Sequence, residues 1–475
     1  MSHLLNQKSL LPQICFWGSL TALLVICSCF LIHNAWWIIG DEAIVVSHTG
    51  MGKAFLPTGF PVMPSEGRLY PFAYNLYDVL LLFNSGYIGP QAHYILQAIA
   101  LVIFGFFFAF IGLHILKDKP FIWKYCITFC LVAIVVVRVL PEFITCYTGA
   151  WIIFMFLPIF LYCAILFDET EHWGYGVTAL LTINYITYCY ENVCAIPFAI
   201  GVCSLLFNYK NLSRNKKIFN CLLIAGCLLF LGIWIFVILP QATHFYSHKA
   251  EASHLMNALK IFIAQKIYWL ALIALIFRAV QIIRKKSSYS FYDSLLLASF
   301  AYFLASAILK LNFTYYYNVG AFVALVAILY FCKENLKPIW ICVIFASLTL
   351  FYGRKYPSII SKAQKDRITS QSHITQLAET SKTMPLYWFS PYFEDQDNLW
   401  ADVRNCQRGR LETILHWYMH NEELTIIEKE DFDESLKGVW LFPSENEKLF
   451  PELELPKDIG EKVLDTGGVK GYMVE

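Results

Sequence analysis

The feature that most constrains this chain is a succession of apolar stretches, each about as long as a membrane is thick. A helix of roughly 20 apolar residues crosses the hydrocarbon core of a bilayer. Hydrophobic residues make up 58% of the 475 positions and charged residues only 15%, whereas a soluble domain carries about 25% charged residues. The sequence therefore predicts a mainly α fold, a polytopic transmembrane helical bundle, and excludes most soluble enzyme folds.

We place about eleven membrane-spanning helices along the chain. They cover 14–39, 92–116, 121–140, 149–167, 174–190, 192–208, 218–239, 257–278, 291–309, 313–332 and 338–352. The apolar stretch 174–208 is too long for one ordinary span, and we interpret it as two short helices that meet at Tyr190-Glu191-Asn192. The predicted transmembrane domain covers 1–352 and has a long first outer loop, 40–91.

The basic residues of the connecting loops predict the orientation. With the N-terminus in the cytoplasm, the inward loops hold Lys117 and Lys119, the acidic stretch 168–171, and the basic clusters 210–217 and 278–286. The outward loops carry only Lys53, Arg68, Lys249 and Lys310. Such an excess of positive charge is typical of cytoplasmic loops. The sequence thus predicts a multi-pass protein of the cytoplasmic (inner) membrane whose C-terminus is extracytoplasmic.

The C-terminal part, 353–475, has a different composition. From Arg354 onward the chain carries 15 Lys and Arg against 22 Asp and Glu, whereas the part before it carries 21 against 13. We expect a small soluble α/β domain here. Its predicted elements are strands at 387–389 and 438–442, a helix within 401–420, and a turn at 467–468 into a final strand.

The positive charge of the whole chain is spread over short loops rather than gathered in one patch, which argues against nucleic acid as a partner.

Acidic residues gather at the predicted outer ends of the spans. Asp41 and Glu42 directly follow the first span, Glu142 follows the third, and Glu191 lies at the tip of the short helix pair. A carboxylate at this depth costs free energy unless it is hydrated, paired or bound to a metal. Each of them alone is explained by a solvated helix end, but their shared side indicates a site that faces outward.

Two short motifs carry a resemblance to a known superfamily. The first span ends in Gly40-Asp41-Glu42, and the long outer loop contains Glu66-Gly67-Arg68. In these motifs the chain resembles the GT-C superfamily, polytopic glycosyltransferases that use sugars on polyprenyl phosphate or polyprenyl diphosphate. Aminoarabinose and protein mannosyl transferases are the nearest analogies. The last outer hairpin has Lys310-Leu311-Asn312 and Tyr315-Tyr316-Tyr317 rather than the Arg-Tyr motif of the aminoarabinose group, which leaves the sugar undefined.

The resemblance implies a catalytic group for an inverting transfer of a hexose or pentose. Asp41 would be the general base, Glu42 a helper and Glu191 a further catalytic carboxylate. If the reaction uses a divalent cation such as Mg²⁺ or Mn²⁺, Asp41 and Glu191 would be its ligands, since hard cations prefer carboxylate oxygens. No cofactor is certain from the sequence.

The remaining predicted residues would bind substrate. Basic side chains suit the leaving lipid phosphate, and those available are Arg68, Lys249 and Lys310. Glu66, Glu142 and Tyr316 would contact the sugar or the acceptor. Interfacial snorkelling of Arg68 and an aromatic belt at Tyr316 are the alternatives. The implied partners are a polyprenyl-phosphate-linked sugar, membrane lipid, and a glycan, lipid or protein acceptor.

Other functions stay open at this point. A transporter or flippase would carry charged residues in the middle of its spans, or broken helices in matched halves. Arg138 lies near a span end, and the two halves of the chain show no pairing, which favours an enzyme. A polysaccharide polymerase or ligase of similar build would differ in its acceptor. A scaffold whose tail binds partners is a further alternative.

Overall fold

The computed structural model describes residues 2–35, 62–63, 67–82, 90–144, 150–242, 254–309, 314–389, 411–412, 415, 426–429, 435–443, 460–466 and 469–474. The α-helices of these residues are α1 (Ser2–His33), α2 (Pro90–Ile115), α3 (Phe121–Ile144), α4 (Ala150–Thr170), α5 (Trp173–Thr187), α6 (Ala195–Asn208), α7 (Arg214–Ile233), α8 (His254–Ala264), α9 (Lys266–Ile283), α10 (Phe291–Ile308), α11 (Asn318–Asn335), α12 (Pro338–Gly353) and α13 (Tyr356–Thr380). The strands are β1 (Val62–Met63), β2 (Arg68–Leu69), β3 (Leu386–Phe389), β4 (Ile426–Lys429), β5 (Gly438–Pro443), β6 (Glu461–Thr466) and β7 (Val469–Val474).

The chain is a multi-pass membrane protein with a helical bundle. Within the described residues, 9 helical segments are long and apolar enough to cross a bilayer. Helices α5 and α12, with 15 and 16 residues, coincide with two further predicted spans but are shorter. The division of 174–208 is confirmed, because α5 ends at Thr187 and a 3₁₀ turn, Glu191–Cys194, precedes α6.

The predicted span 257–278 is wrong as one continuous helix. It divides at Gln265, which takes an extended conformation (φ −88°, ψ 95°) between α8 and α9. The residues on both sides are apolar, so hydropathy continues across the break. The Gln265 side chain is 2% exposed, and α9 starts a new helix directly after it.

Ion pairs join the loops that were predicted to face inward. Lys117 binds Glu169 at 3.0 Å and Lys216 binds Asp168 at 3.2 Å. Arg278 in α9 makes a two-pronged pair with Asp293, which also forms the capping box of α10 with Ser290. These acidic groups therefore lie on the same side of the bundle as the basic clusters, which agrees with the predicted grouping of loops.

Helix α11 runs through the centre of the bundle, and every residue from Asn318 to Leu329 is buried. Its close packing depends on Gly320. A Cβ there would lie 2.5 Å from the Tyr268 hydroxyl and 3.0 Å from the carbonyl oxygen of Ser299. The absence of a side chain lets α11 approach both α9 and α10.

We expect Gly320→Ala to destabilise the bundle by about 1–3 kcal/mol, because overpacking forces neighbouring side chains and backbone to shift. Thermal unfolding of the purified protein in detergent measures the effect. The matched control is Gly232→Ala in α7, where an added Cβ meets nothing within 4 Å. Equal unfolding temperatures for the two variants would contradict this packing argument.

The C-terminal part contains a five-stranded mixed sheet with the order β4-β3-β5-β7-β6. Strand β3 is parallel to both of its neighbours, whereas β7 is antiparallel to both of its own. The predicted strands in β3, β5 and β7 are confirmed, and so is the α/β character of this part. The predicted turn at 467–468 and most of the predicted helix 401–420 lie outside the described residues, although 411–412 and 415 are helical.

Helix α13 connects the bundle to this sheet and was not predicted. At its start, the Tyr356 hydroxyl lies 3.8 Å from the Cys27 sulfur, and at its middle Arg367 donates to the carbonyl oxygen of His33 at 3.0 Å. Near its end, Ile374 and Leu377 are buried in the apolar core of the sheet domain. One helix thus contacts α1 through its first half and the soluble domain at its end.

Candidate functional site

Four of the predicted site residues belong to the described part of the chain: Arg68, Glu142, Glu191 and Tyr316. The other five, Asp41, Glu42, Glu66, Lys249 and Lys310, lie outside the described residues. Their roles stay predictions.

Arg68 and Glu191 form a two-pronged ion pair. The Nε of Arg68 donates to Oε1 of Glu191 at 2.7 Å, and Nη2 donates to Oε2 at 3.3 Å. The backbone N–H of Leu69 donates to the same Oε1 at 3.1 Å. The Arg68 guanidinium also lies over the Tyr70 ring, 4.8 Å from its centroid. The side chains are 19% and 10% exposed, so the pair is largely shielded from solvent.

Local backbone structure brings the two residues together. Glu191 opens the 3₁₀ turn between α5 and α6. On the other side, Gly67 adopts a left-handed conformation (φ 69°), and its carbonyl oxygen accepts from Trp234 Nε1 at 2.8 Å. The loop continues across the tip of the helix pair, where the N–H of Phe72 donates to the carbonyl oxygen of Tyr188 at 3.2 Å. The outer loop is therefore fastened to this tip.

The opposite charges of Arg68 and Glu191 attract one another. Burial alone would lower the pKa of Arg68, but the attraction of the Glu191 carboxylate outweighs burial and leaves that pKa well above its usual value. Both carboxylate oxygens of Glu191 accept hydrogen bonds. Glu191 is thus placed to hold Arg68 and the segment around it.

A layer of hydrogen-bonded side chains extends from this pair across the predicted outer side. Asn192 donates to the Tyr302 hydroxyl and to Ser306 Oγ, each at 2.9 Å. Tyr190 packs against Tyr316, with ring centroids 5.4 Å apart. The structure therefore brings Tyr316, Glu191 and Arg68 into one region.

Glu142 belongs to a second group. Helix α3 continues to Ile144, so Glu142 lies in its last turn. The prediction that Glu142 follows the span is therefore wrong, because the helix continues beyond its apolar residues. Arg138, one turn earlier, lies within electrostatic reach of Glu142. Arg138 donates through Nη2 to Asn318 Oδ1, and its guanidinium lies over the Tyr352 ring, 4.7 Å from the centroid.

Tyr268 connects the two groups. Its hydroxyl donates to the carbonyl oxygen of Tyr317 at 3.0 Å, and it lies within electrostatic reach of both Tyr302 and Arg138. Sequence reasoning did not select Arg138 as a site residue. The available signal was a basic residue within a predicted span, which usually marks a function.

The described residues around Glu191 do not favour a metal ion at its carboxylate. A cation at its carboxylate would have to displace or face the Arg68 guanidinium, whose charge repels it. Among the described residues, no group of three or more His, Cys, Asp or Glu side chains is arranged to hold a metal ion. Asp41 is not among these residues, so a cation held by Asp41 and Glu191 stays a prediction, and we derive no chemical step through a metal.

The helical bundle and the small C-terminal sheet together make a fold that is also found in a solved membrane protein. The crystal structure of ArnT from Cupriavidus metallidurans bound to undecaprenyl phosphate has the same fold, with a TM-score of 0.50 and 11% sequence identity over 96% of this chain and 98% of that one. The apo ArnT structure gives a TM-score of 0.49 at 10% identity over 97% and 98% of the two chains. No protein-family model matches the sequence, and no curated protein matches it. At this identity the likeness shows the fold.

Proposed function

We propose that this protein is a membrane glycosyltransferase that moves a sugar from a polyprenyl phosphate or polyprenyl diphosphate carrier to a lipid, glycan or protein acceptor. The observation that carries the proposal is the likeness in fold, over nearly the whole of both chains, to a protein whose structure contains undecaprenyl phosphate. The acidic motif Gly40-Asp41-Glu42 supports it. We further propose that the reaction takes place at the outer face of the cytoplasmic membrane.

The proposed reaction is an inverting transfer. The acceptor oxygen attacks the anomeric carbon, and the bond between that carbon and the phosphate oxygen breaks. Asp41 takes the proton of the acceptor, with Glu42 assisting. The carrier phosphate leaves with the bonding electrons, and basic residues stabilise its charge; Lys249 and Lys310 are proposed for this role.

We assign Arg68 and Glu191 a joint positioning role in this reaction. The carboxylate of Glu191 fixes Arg68 and the backbone of Leu69, and the loop that follows lies on the tip of the short helix pair. Active sites need their supporting side chains held by hydrogen bonds, since a small misplacement of the reacting groups lowers the reaction rate.

The proposed function is tested by supplying purified protein in detergent with candidate acceptors and a panel of sugars linked to polyprenyl phosphate or polyprenyl diphosphate. We expect free carrier and glycosylated acceptor to appear in equal amounts, with one donor preferred. The productive donor identifies the sugar. Failure of every donor to release carrier, with folded protein and all three classes of acceptor present, would contradict the proposal.

A further inference from the structure

Arg138 is a charged residue inside the bundle whose environment does not use all of its hydrogen-bonding capacity. It lies in α3 among fully buried apolar residues such as Val135 and Val139. An arginine at membrane depth costs free energy, so such residues usually pair or mark a ligand pathway. Stability alone gives no reason to keep a cation at this position.

The contacts of Arg138 leave one donor unsatisfied. Nη2 donates to Asn318 Oδ1, and the flat face of the guanidinium covers Tyr352. The Nε–H group is buried and has no hydrogen-bond partner among the described residues. A buried donor without a partner typically costs about 1–3 kcal/mol. An incoming acceptor would remove that cost.

The helix ends around Arg138 add positive potential. The Tyr352 hydroxyl is buried, has no hydrogen-bond partner among the described residues, and lies near Lys266 and Ile267, the first two residues of α9. The N–H groups of a helix's first turn carry partial positive charge and favour anions. Helix α11 also begins here, at Asn318. Arg138 thus lies between the starts of two helices and the end of α12.

The balance of charges around Arg138 favours an anion. Glu142 is the nearby carboxylate and offsets part of the Arg138 charge. The partial charges of the α9 amides remain, and the hydroxyls of Tyr268 and Tyr352 add polar groups. A guanidinium with free N–H groups suits a phosphate, which it can bind through two parallel hydrogen bonds.

The surroundings also suit a lipid chain. Helices α9 and α12 both pack beside α11, and both expose apolar side chains outward, with Ile273 61% and Leu350 75% exposed. A polyprenyl chain lying along these helices in the bilayer would place its terminal phosphate at the level of Arg138.

We propose that Arg138, with the N-terminus of α9 and the Tyr352 hydroxyl, binds the phosphate of the polyprenyl carrier. This inference rests on the proposed function and adds to it a phosphate subsite in the bundle, separate from the Arg68–Glu191 pair. Glu142, one turn further along α3, lies within electrostatic reach of the arginine. The shared chemistry is a lipid phosphate, which could belong to the carrier or to an ordinary phospholipid.

The test is a binding measurement that does not depend on transfer. Wild-type protein and Arg138→Gln are titrated in detergent with undecaprenyl phosphate, undecaprenol or phosphatidylglycerol, and native mass spectrometry and thermal shift report binding. We expect wild type to prefer undecaprenyl phosphate, and Arg138→Gln to lose about thirtyfold in affinity for it, as expected when a buried charged hydrogen bond is removed. Binding of undecaprenol should not change.

Arg354→Gln is the matched control, because Arg354 is exposed and only two residues from Tyr352; its affinity should equal that of wild type. If Arg138→Gln does not fold, Arg138→Lys replaces it, since lysine keeps the charge but lacks the planar fork. We then expect about a tenfold loss in affinity, and a loss below about threefold would overturn the proposal.

The outcomes separate the two claims. Unchanged affinity of Arg138→Gln, in a protein that transfers sugar, would overturn the phosphate subsite and leave the proposed function standing. If wild type binds phosphatidylglycerol as tightly as undecaprenyl phosphate, and Arg138→Gln loses both, the carrier is not the specific ligand and the proposal is overturned. Arg138-dependent binding of undecaprenyl phosphate, in a protein that releases carrier from no donor, would support the subsite and contradict the transferase.

Discussion

Replacement of Asp41 by Asn is expected to lower the rate of sugar transfer by about a thousandfold while the protein remains folded and inserted. Asn has the shape of Asp but cannot accept the acceptor's proton, and a positioned general base typically contributes about 10²–10⁴ to the rate. Asp41 follows the first predicted span within the Gly40-Asp41-Glu42 motif. The measurement is the initial rate of polyprenyl phosphate release at saturating donor and acceptor.

The control for this variant is Asp118→Asn, the same chemical change in a loop that is predicted to face the cytoplasm. Asp118 is exposed and pairs with Lys333 at 3.0 Å, so its loss should leave the rate unchanged, since exposed ion pairs contribute little. A rate for Asp41→Asn within a few-fold of wild type would remove Asp41 from the proposed mechanism.

Breaking the Arg68–Glu191 pair is expected to have the second largest effect. Either Arg68→Met or Glu191→Leu leaves a largely buried charge without its partner, and such losses cost several kcal/mol in fully buried pairs. Because Arg68 is 19% exposed, we expect about 2 kcal/mol for each single variant after solvent screening. Transfer should fall in both, since the loop carrying Arg68 loses its attachment.

The double variant Arg68→Met/Glu191→Leu provides the sharper test. If the pair acts by mutual compensation, the double variant is more stable than either single variant, with a coupling energy of about 2 kcal/mol. Thermal unfolding and limited proteolysis within residues 67–82 measure stability and attachment of the loop. Additive effects of the two substitutions would mean that the contact does not hold the loop.

The same variants distinguish positioning from direct catalysis by Glu191. A positioning role predicts that the double variant recovers part of the transfer rate along with its stability. A role as base or metal ligand predicts that it stays as inactive as Glu191→Leu alone. Measuring both quantities on one preparation separates loss of structure from loss of chemistry.

The membrane-spanning organisation was readable from the sequence because each span must supply its own apolar length. The division at 190–192 was readable too, since one helix could not accommodate 174–208. The break at Gln265 was not, because apolar residues continue on both sides of it. Helix α13 was missed because its 25 residues are mostly polar and its two ends pack against different partners.

The site was only partly predictable for a different reason. The sequence selected Arg68 and Glu191 separately, but they are 123 positions apart, and hydropathy does not report which loop lies on which helix tip. They had been assigned different roles, and the structure shows that they bind one another. Arg138 was not selected because it lies near a span end. In the structure it contacts Asn318 of α11 and Tyr352 of α12.

The most direct test of the proposed transferase uses wild-type and Asp41→Asn protein in vesicles that contain a polyprenyl-phosphate-linked sugar. Release of free carrier phosphate and movement of the intact sugar lipid across the bilayer are followed together. We predict carrier release by wild type only, and no acceleration of transbilayer movement by either protein. Accelerated movement without release of carrier would contradict the transferase and identify the protein as a flippase.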